Sequence, residues 1–246
     1  MEPDHPLPAP PPLANLLANG PLALFLDFDG TLVEIAGDPD AVAVPGRLGA
    51  GLEHLATRLG GALALVTGRS IDNLHGFLGP LALHLAGSHG ADVRSPSGTA
   101  LRKGQALPTP VTDALGSFAS ANGLLYERKA HGGALHYRVR PDLEDDAHNF
   151  ATGLAKTHGL STKTGKCVVE LVWPGADKGG AVDLLALCPP FAGAIPVFIG
   201  DDVTDEDGFA ACTRHGGFGI AVGERPSAGA RYSLATVKDV HTWLEL

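Results

Sequence analysis

Two aspartates one residue apart, Asp27 and Asp29, stand at the end of an apolar run, Leu22-Ala23-Leu24-Phe25-Leu26. The run reads as a short buried strand, and Gly30 breaks it. Side chains two apart on a strand point the same way, so both carboxylates arrive together at a strand's C-terminal end. Carboxylates held that close repel unless a cation or a proton sits between them. Mg²⁺ suits the place, because it takes oxygen ligands, keeps water and favours phosphate partners. A second acid-rich stretch, Gly200-Asp201-Asp202-Val203-Thr204-Asp205-Glu206, follows the run Ile195-Pro196-Val197-Phe198-Ile199. Asp201 is the expected direct metal ligand there, with Asp202 and Asp205 supporting it through water or neighbouring groups. A calcium loop fails on spacing: with Gly208 as its glycine, Val203 falls first and Arg214 twelfth, where the loop needs acids.

The elements that must position these residues share one pattern. A third apolar run, Ala62-Leu63-Ala64-Leu65-Val66, ends in Thr67-Gly68-Arg69. Helical periodicity lies between or after the runs, over residues 46–59, 70–78, 179–187 and 205–213. Alternating strands and helices predict a doubly wound, Rossmann-like parallel sheet covered on both faces. Such sheets bind ligands beyond the carboxyl ends of their strands, where all three polar clusters fall. Residues 107–173 read differently. Helices are expected over 109–121 and from Pro141 to about His158. Strands are expected over 124–129, 134–140, 161–163 and 166–173. The class is therefore α/β with an inserted smaller α+β cap domain. The expected division is a proline-rich lead-in (1–20), a core (21–106 and 174–246) and a cap (107–173). Hinges for domain closure are expected near 101–109 and 173–178.

Composition narrows the function. The 246 residues carry a net charge of −9, which argues against a nucleic-acid partner, since that needs a basic surface. Residues 107–173 hold seven basic and seven acidic residues, so the flanking core carries the whole excess. Cys167, Cys188 and Cys212 have no C-x-x-C spacing, and all three are expected as small buried apolar residues, not as a zinc site or disulfide framework. No apolar segment is long enough to span a bilayer, and the proline-rich start, expected as disordered or extended, lacks the pattern of a signal peptide. A cytoplasmic monomer without a membrane partner is the expectation.

Asp27-x-Asp29-x-Thr31, then Thr67, Lys178 and the Gly200–Glu206 stretch, resemble in order the motifs of the haloacid-dehalogenase-type phosphatases. In that chemistry Asp27 attacks phosphorus and forms an aspartyl-phosphate. Asp29 protonates the leaving alcohol and then activates water. The resemblance also brings the Asp29 backbone carbonyl to the metal. Thr67 would hydrogen-bond the phosphoryl oxygens, Gly68 and Arg69 are expected to bind substrate, with Gly68 letting the backbone approach, and the helix N-terminus that follows favours an anion. Lys178 would act as a point charge for phosphate and nucleophile.

The segment 107–173 sorts into faces by alternation. Glu127 and Lys129 share one; His136, Arg138 and Arg140 share one; Lys166, Val168 and Glu170 share one. Leu135, Tyr137 and Val139 fall on the opposite side, suited to packing under helices. Mixed carboxylate, ammonium and imidazole groups suit a polyhydroxylated ligand, whose hydroxyls donate and accept. Gly87-Ser88-His89-Gly90-Ala91-Asp92, Glu127-x-Lys129, Ala134–Arg138 and Gly165–Glu170 resemble the trehalose-6-phosphate phosphatase family. That resemblance implies a Mg²⁺-dependent phosphatase acting on a small sugar phosphate, with sugar contacts from His89, Glu127, Lys129, His136, Arg138, Lys166 and Glu170. Asp92 departs from the glutamate usual at its position. A phosphatase for sucrose 6-phosphate or a mannosyl phosphate, a sugar phosphotransferase and a silent sugar-phosphate sensor are the alternatives.

Overall fold

The computed structural model describes residues 7–37, 41–165 and 167–246. Two compact units emerge: Met1–Arg102 with Asp177–Leu246, and Lys103–Ala176. Strands and helices are numbered along the whole chain, so β6–β9, α4 and α5 belong to the second unit.

The first unit is built on an eight-stranded sheet. Its strands are β1 (Leu22–Leu26), β2 (Leu63–Val66), β3 (His84–Gly87), β4 (Asp92–Arg94), β5 (Ala100–Arg102), β10 (Ile195–Gly200), β11 (Phe218–Val222) and β12 (Ala230–Leu234). They lie in the order β12-β11-β10-β1-β2-β3-β4-β5. Pairing is parallel from β12 to β3 and antiparallel at β4 and β5. All five β1 residues are buried, because both faces of the sheet are covered. Leu22, Leu24 and Leu26 enter one core with α1 (Leu13–Ala18), α2 (Leu48–Arg58), α3 (Ile71–Leu78) and α8 (Val237–Leu244). Ala23 and Phe25 enter the other with α6 (Lys178–Ala186) and α7 (Asp205–Arg214).

The lead-in differs from its expectation. From Leu7 onward it is tied down: Ser233 donates its hydroxyl to Leu7 O and its N–H to Pro8 O, and the Trp243 indole donates to Pro11 O. Leu13, on the unforeseen helix α1, is buried. Residues 1–6 lie outside the described residues.

The second unit is an antiparallel sheet in the order β6-β7-β9-β8, with β6 (Leu125–Arg128), β7 (Gly132–His136), β8 (Ser161–Gly165) and β9 (Val168–Val172). Leu135, Val169 and Leu171 pack beneath α4 (Thr109–Asn122) and α5 (Glu144–His158). The strand expected through Arg140 stops at His136, because the chain turns and Arg140 N–H donates to Tyr137 O. Val139, expected beneath the helices, is therefore 72% exposed. Arg138 lies on that turn, off the face it was expected to share with His136. Cys212 is buried as expected, whereas Cys167 and Cys188 are only half-buried.

Candidate active site

Parallel pairing of β1 with β10 sets Leu26 opposite Ile199, and Asp27 N–H donates to Ile199 O at 3.0 Å. The residues just past both strand ends, Asp27 and Asp201, are thereby neighbours although far apart in sequence. Helix α6 supplies the third component. Its N-cap, Asp177, accepts from Gly180 N–H at 2.6 Å, and its first residue is Lys178. The lysine is 2% exposed, with Nζ 3.0 Å from Asp27 Oδ2 and 2.6 Å from Asp205 Oδ1. A lysine that could pass in sequence for a surface residue is thus the centre of a buried charge cluster. Asp205 is fully buried and its other oxygen accepts from Asp202 N–H at 2.8 Å. Thr31 Oγ1 donates to Asp201 Oδ1 at 3.3 Å. Gly30 sits between at φ +74°, and a Cβ there would collide with the Asp201 carboxylate, so the strand-breaking glycine is required twice over.

Asp29 is held differently. Arg69 grips it through Nε and Nη2 at 2.6 and 2.7 Å and reaches Asn73 Oδ1 through Nη1 at 2.8 Å. The guanidinium also lies 4.7 Å from the Phe77 ring centroid and 5.8 Å from that of Phe28, which restricts its orientation. Thr67 is buried, and its hydroxyl accepts from Arg69 N–H at 3.2 Å. Ser88 and His89 take left-handed backbone at φ +49° and +55°, and His89 Cε1 comes so near Gly68 that a Cβ would meet it at 2.7 Å. Asp27, Asp29, Gly68, Arg69, His89, Lys178, Asp201 and Asp202 line one cleft of about 480 Å³, and Asn73 joins them. Thr67 and Asp205 are buried behind that lining.

The cluster carries more negative charge than its one ammonium offsets. Burial, reinforced by Asp205 and opposed by Lys178, pushes the Asp27 carboxyl up to about 8. Burial and Asp205 push Asp201 up to about 6, and burial also raises Asp205. Burial alone would lower Lys178, but Asp27 and Asp205 outweigh it and keep the ammonium charged. Carboxylate oxygens of Asp27, Asp201 and Asp205 lie within 4.8 Å of one another. Hard oxygen donors with an uncompensated buried charge fit a divalent cation such as Mg²⁺. Asp202 stands apart, its carboxylate accepting from Val203 N–H and the Thr204 hydroxyl.

The second unit has a polar face of its own. Register places Glu127 opposite Ala134, Ala134 opposite Glu170, and Glu170 opposite Lys163. His136 Nε2 is 2.9 Å from Glu127 Oε2, and Lys129 Nζ is 2.9 Å from Glu170 Oε2. Thr31 closes the Asp-x-Asp-x-Thr run read in sequence, whereas Lys163 and Asn73 were not foreseen. Lys163 had only its alternation with Gly165 to mark it, and Asn73 sits in the first turn of α3 while Arg69 lies ahead of its N-cap, so no helical spacing links them. Lys166 lies outside the described residues.

Solved structures and curated relatives agree on what this arrangement is. A phosphatase of the haloalkanoate (HAD) superfamily from Bacteroides thetaiotaomicron shares the fold, with a TM-score of 0.66 at 17% identity over 92% of this chain and 93% of that one. The fold is the one found in HAD-superfamily phosphatases. The trehalose-phosphatase family model matches residues 25–240. The Escherichia coli (strain K12) trehalose-6-phosphate phosphatase is 40% identical over 228 residues, 91% of this chain and 85% of its own. A probable trehalose-phosphate phosphatase of Sinorhizobium fredii is 41% identical, covering 87% and 82%. The Aspergillus fumigatus trehalose-6-phosphate phosphatase structure matches with a TM-score of 0.80 at 26% identity, over 97% of both chains. The chain belongs to the trehalose-phosphatase family of phosphoric monoester hydrolases. No described helix is long and apolar enough to cross a membrane.

Proposed function

We propose that this chain hydrolyses trehalose 6-phosphate to trehalose and phosphate, with Mg²⁺ as cofactor and Asp27 as nucleophile. The observation that carries the reading is the buried Asp27–Lys178–Asp205 cluster opening, with Asp29 and Asp201, onto one cleft. Lys178 and Thr67 hold the phosphoryl oxygens beside Asp27. An Asp27 oxygen forms a bond to phosphorus as the bond to the sugar oxygen breaks, and Asp29 gives that oxygen its proton. Asp29, now ionised, takes a proton from water as the water oxygen attacks the aspartyl-phosphate. Phosphate leaves and the Asp27 carboxylate returns. Arg69 occupies both Asp29 oxygens before substrate binds, so Asp29 leaves that grip to carry the proton. Asp27, Asp201 and the Asp29 carbonyl would hold Mg²⁺, with Asp202 and Asp205 fixing the loop. When bound, the ion neutralises charge on the phosphoryl oxygens and orients them.

Residues 103–176 act as the cap in this proposal. Glu127, Lys129, His136, Arg138, Lys166 and Glu170 are assigned to the sugar hydroxyls, and so is His89. Phosphate release from trehalose 6-phosphate, sucrose 6-phosphate and a mannosyl phosphate tests the assignment. Trehalose 6-phosphate should lead in kcat/KM by roughly 100-fold or more, since mismatched hydroxyls leave polar groups unpaired. Equal kcat/KM across the panel would defeat the trehalose reading, and a new sugar phosphate among the products would reveal a phosphotransferase.

A further inference from the structure

Glu206 ends the Gly200–Glu206 stretch and has no part in the chemistry above, yet both its oxygens are engaged. Oε1 accepts from Arg225 Nη2 at 2.9 Å, and Oε2 accepts from Gly229 N–H at 2.8 Å. Arg225 in turn donates Nε to Asp201 O at 2.9 Å, Nη2 to Asp202 O at 3.0 Å and Nη1 to Pro226 O at 2.9 Å. One guanidinium therefore holds the carbonyls of both residues that follow β10. That short loop needs external support. Its Asp201 side chain faces the acids Asp27 and Asp205, and like charges push it outward. From within, the backbone is tethered by Asp202 N–H to Asp205. Arg225 supplies the tether from outside. A planar fork with spaced nitrogens reaches two carbonyls and a carboxylate at once, whereas a lysine's three N–H groups all radiate from one atom. The pair is also three-quarters shielded from water, with side chains 29% and 24% exposed, so screening weakens it less than a surface pair.

We propose that Arg225, seated by Glu206, is a positioning residue that holds Asp201 in place for the divalent cation. The proposal rests on the metal reading given under Proposed function. It predicts a defect in Mg²⁺ affinity that saturating Mg²⁺ largely repairs, unlike a defect in the chemical step.

The test compares wild type with Arg225→Met, Arg225→Lys and Glu206→Gln. Mg²⁺ binding is measured calorimetrically without substrate, alongside the Mg²⁺ dependence of phosphate release. Arg225→Met should weaken Mg²⁺ binding and raise its half-activating concentration by about 10-fold or more, the range found for groups that orient metal ligands. Excess Mg²⁺ should restore most of kcat. Arg225→Lys should recover part of the affinity, and Glu206→Gln should fall between. Wild-type Mg²⁺ affinity in Arg225→Met overturns the proposal, as does lost activity that Mg²⁺ cannot restore. If Arg225→Met fails to fold, the other two variants face the same criteria. A wild type that neither binds nor needs Mg²⁺ overturns the metal reading and this proposal together, and is recognised because the unmodified protein fails.

Discussion

As the proposed nucleophile, Asp27 must be buried enough to exclude water from phosphorus, yet ionised enough to attack it. Lys178, at 3.0 Å, favours the charged form; burial and Asp205 oppose it. Replacing Asp27 with Asn removes the nucleophile and lightens the buried charge. Turnover should fall by about 10³-fold or more, while a melting curve still shows a folded protein and Mg²⁺ binding weakens but is not lost, since Asp201 remains. Near wild-type phosphate release would end the nucleophile assignment. Asp29→Asn should cost about 10²- to 10⁴-fold in kcat, the usual worth of a general acid–base group. Steady-state kinetics checks it, and a change confined to KM would remove Asp29 from proton transfer. Glu170→Gln acts elsewhere. It should raise KM with little change in kcat, because a hydroxyl contact on the sugar serves ground and transition states alike.

At the level of elements, the helix that carries Lys178 depends on its cap. Asp177→Ala should lower stability by about 0.5–2 kcal/mol and depress activity by loosening the first turn, read by denaturant unfolding and kcat together. The strand ends that build the cleft were legible in sequence because three parallel strands carry apolar runs followed by polar residues: β1 before Asp27, β2 before Thr67, β10 before Asp201. The other five strands of that sheet, β3, β4, β5, β11 and β12, were not. β4 and β5 span three residues each, and β5 is largely exposed, so neither has a long periodic signal. Helix α1 is six residues behind a proline run and depends on packing at Leu13. At the site, acids and the lysine could be read from residue type. The Arg69–Asp29 grip and the Arg225 tether could not, because each joins residues about 20 to 40 apart through tertiary geometry. The shared face of Glu127, His136 and Glu170 followed from alternation, but the register between their strands and the turn after His136 did not.

For the whole molecule, the buried acids couple folding to pH. Asp27 rises from an ordinary 3.8 to about 8 in the folded chain and Asp201 to about 6. The folded state therefore binds more protons than the unfolded state between about pH 4 and 8. The sign is fixed: this contribution is complete below the unfolded values and is lost as pH rises through the folded ones. Without divalent metal, the melting temperature should drop across that window from these groups. Mg²⁺ displaces the protons, so its stabilising shift should grow with pH, its affinity strengthening by about 10-fold per pH unit for each proton released. Thermal denaturation in Mg²⁺ and in chelator at pH 6 and pH 8 measures it, and equal shifts at both would contradict the linkage. The crossed pairs His136–Glu127 and Lys129–Glu170 have a separate consequence. An incoming hydroxyl finds each partner already occupied, so docking on that sheet is an exchange in which old bonds are surrendered for new. Net heat should be small, product should depart readily, and discrimination should come from how well a sugar replaces what it displaces.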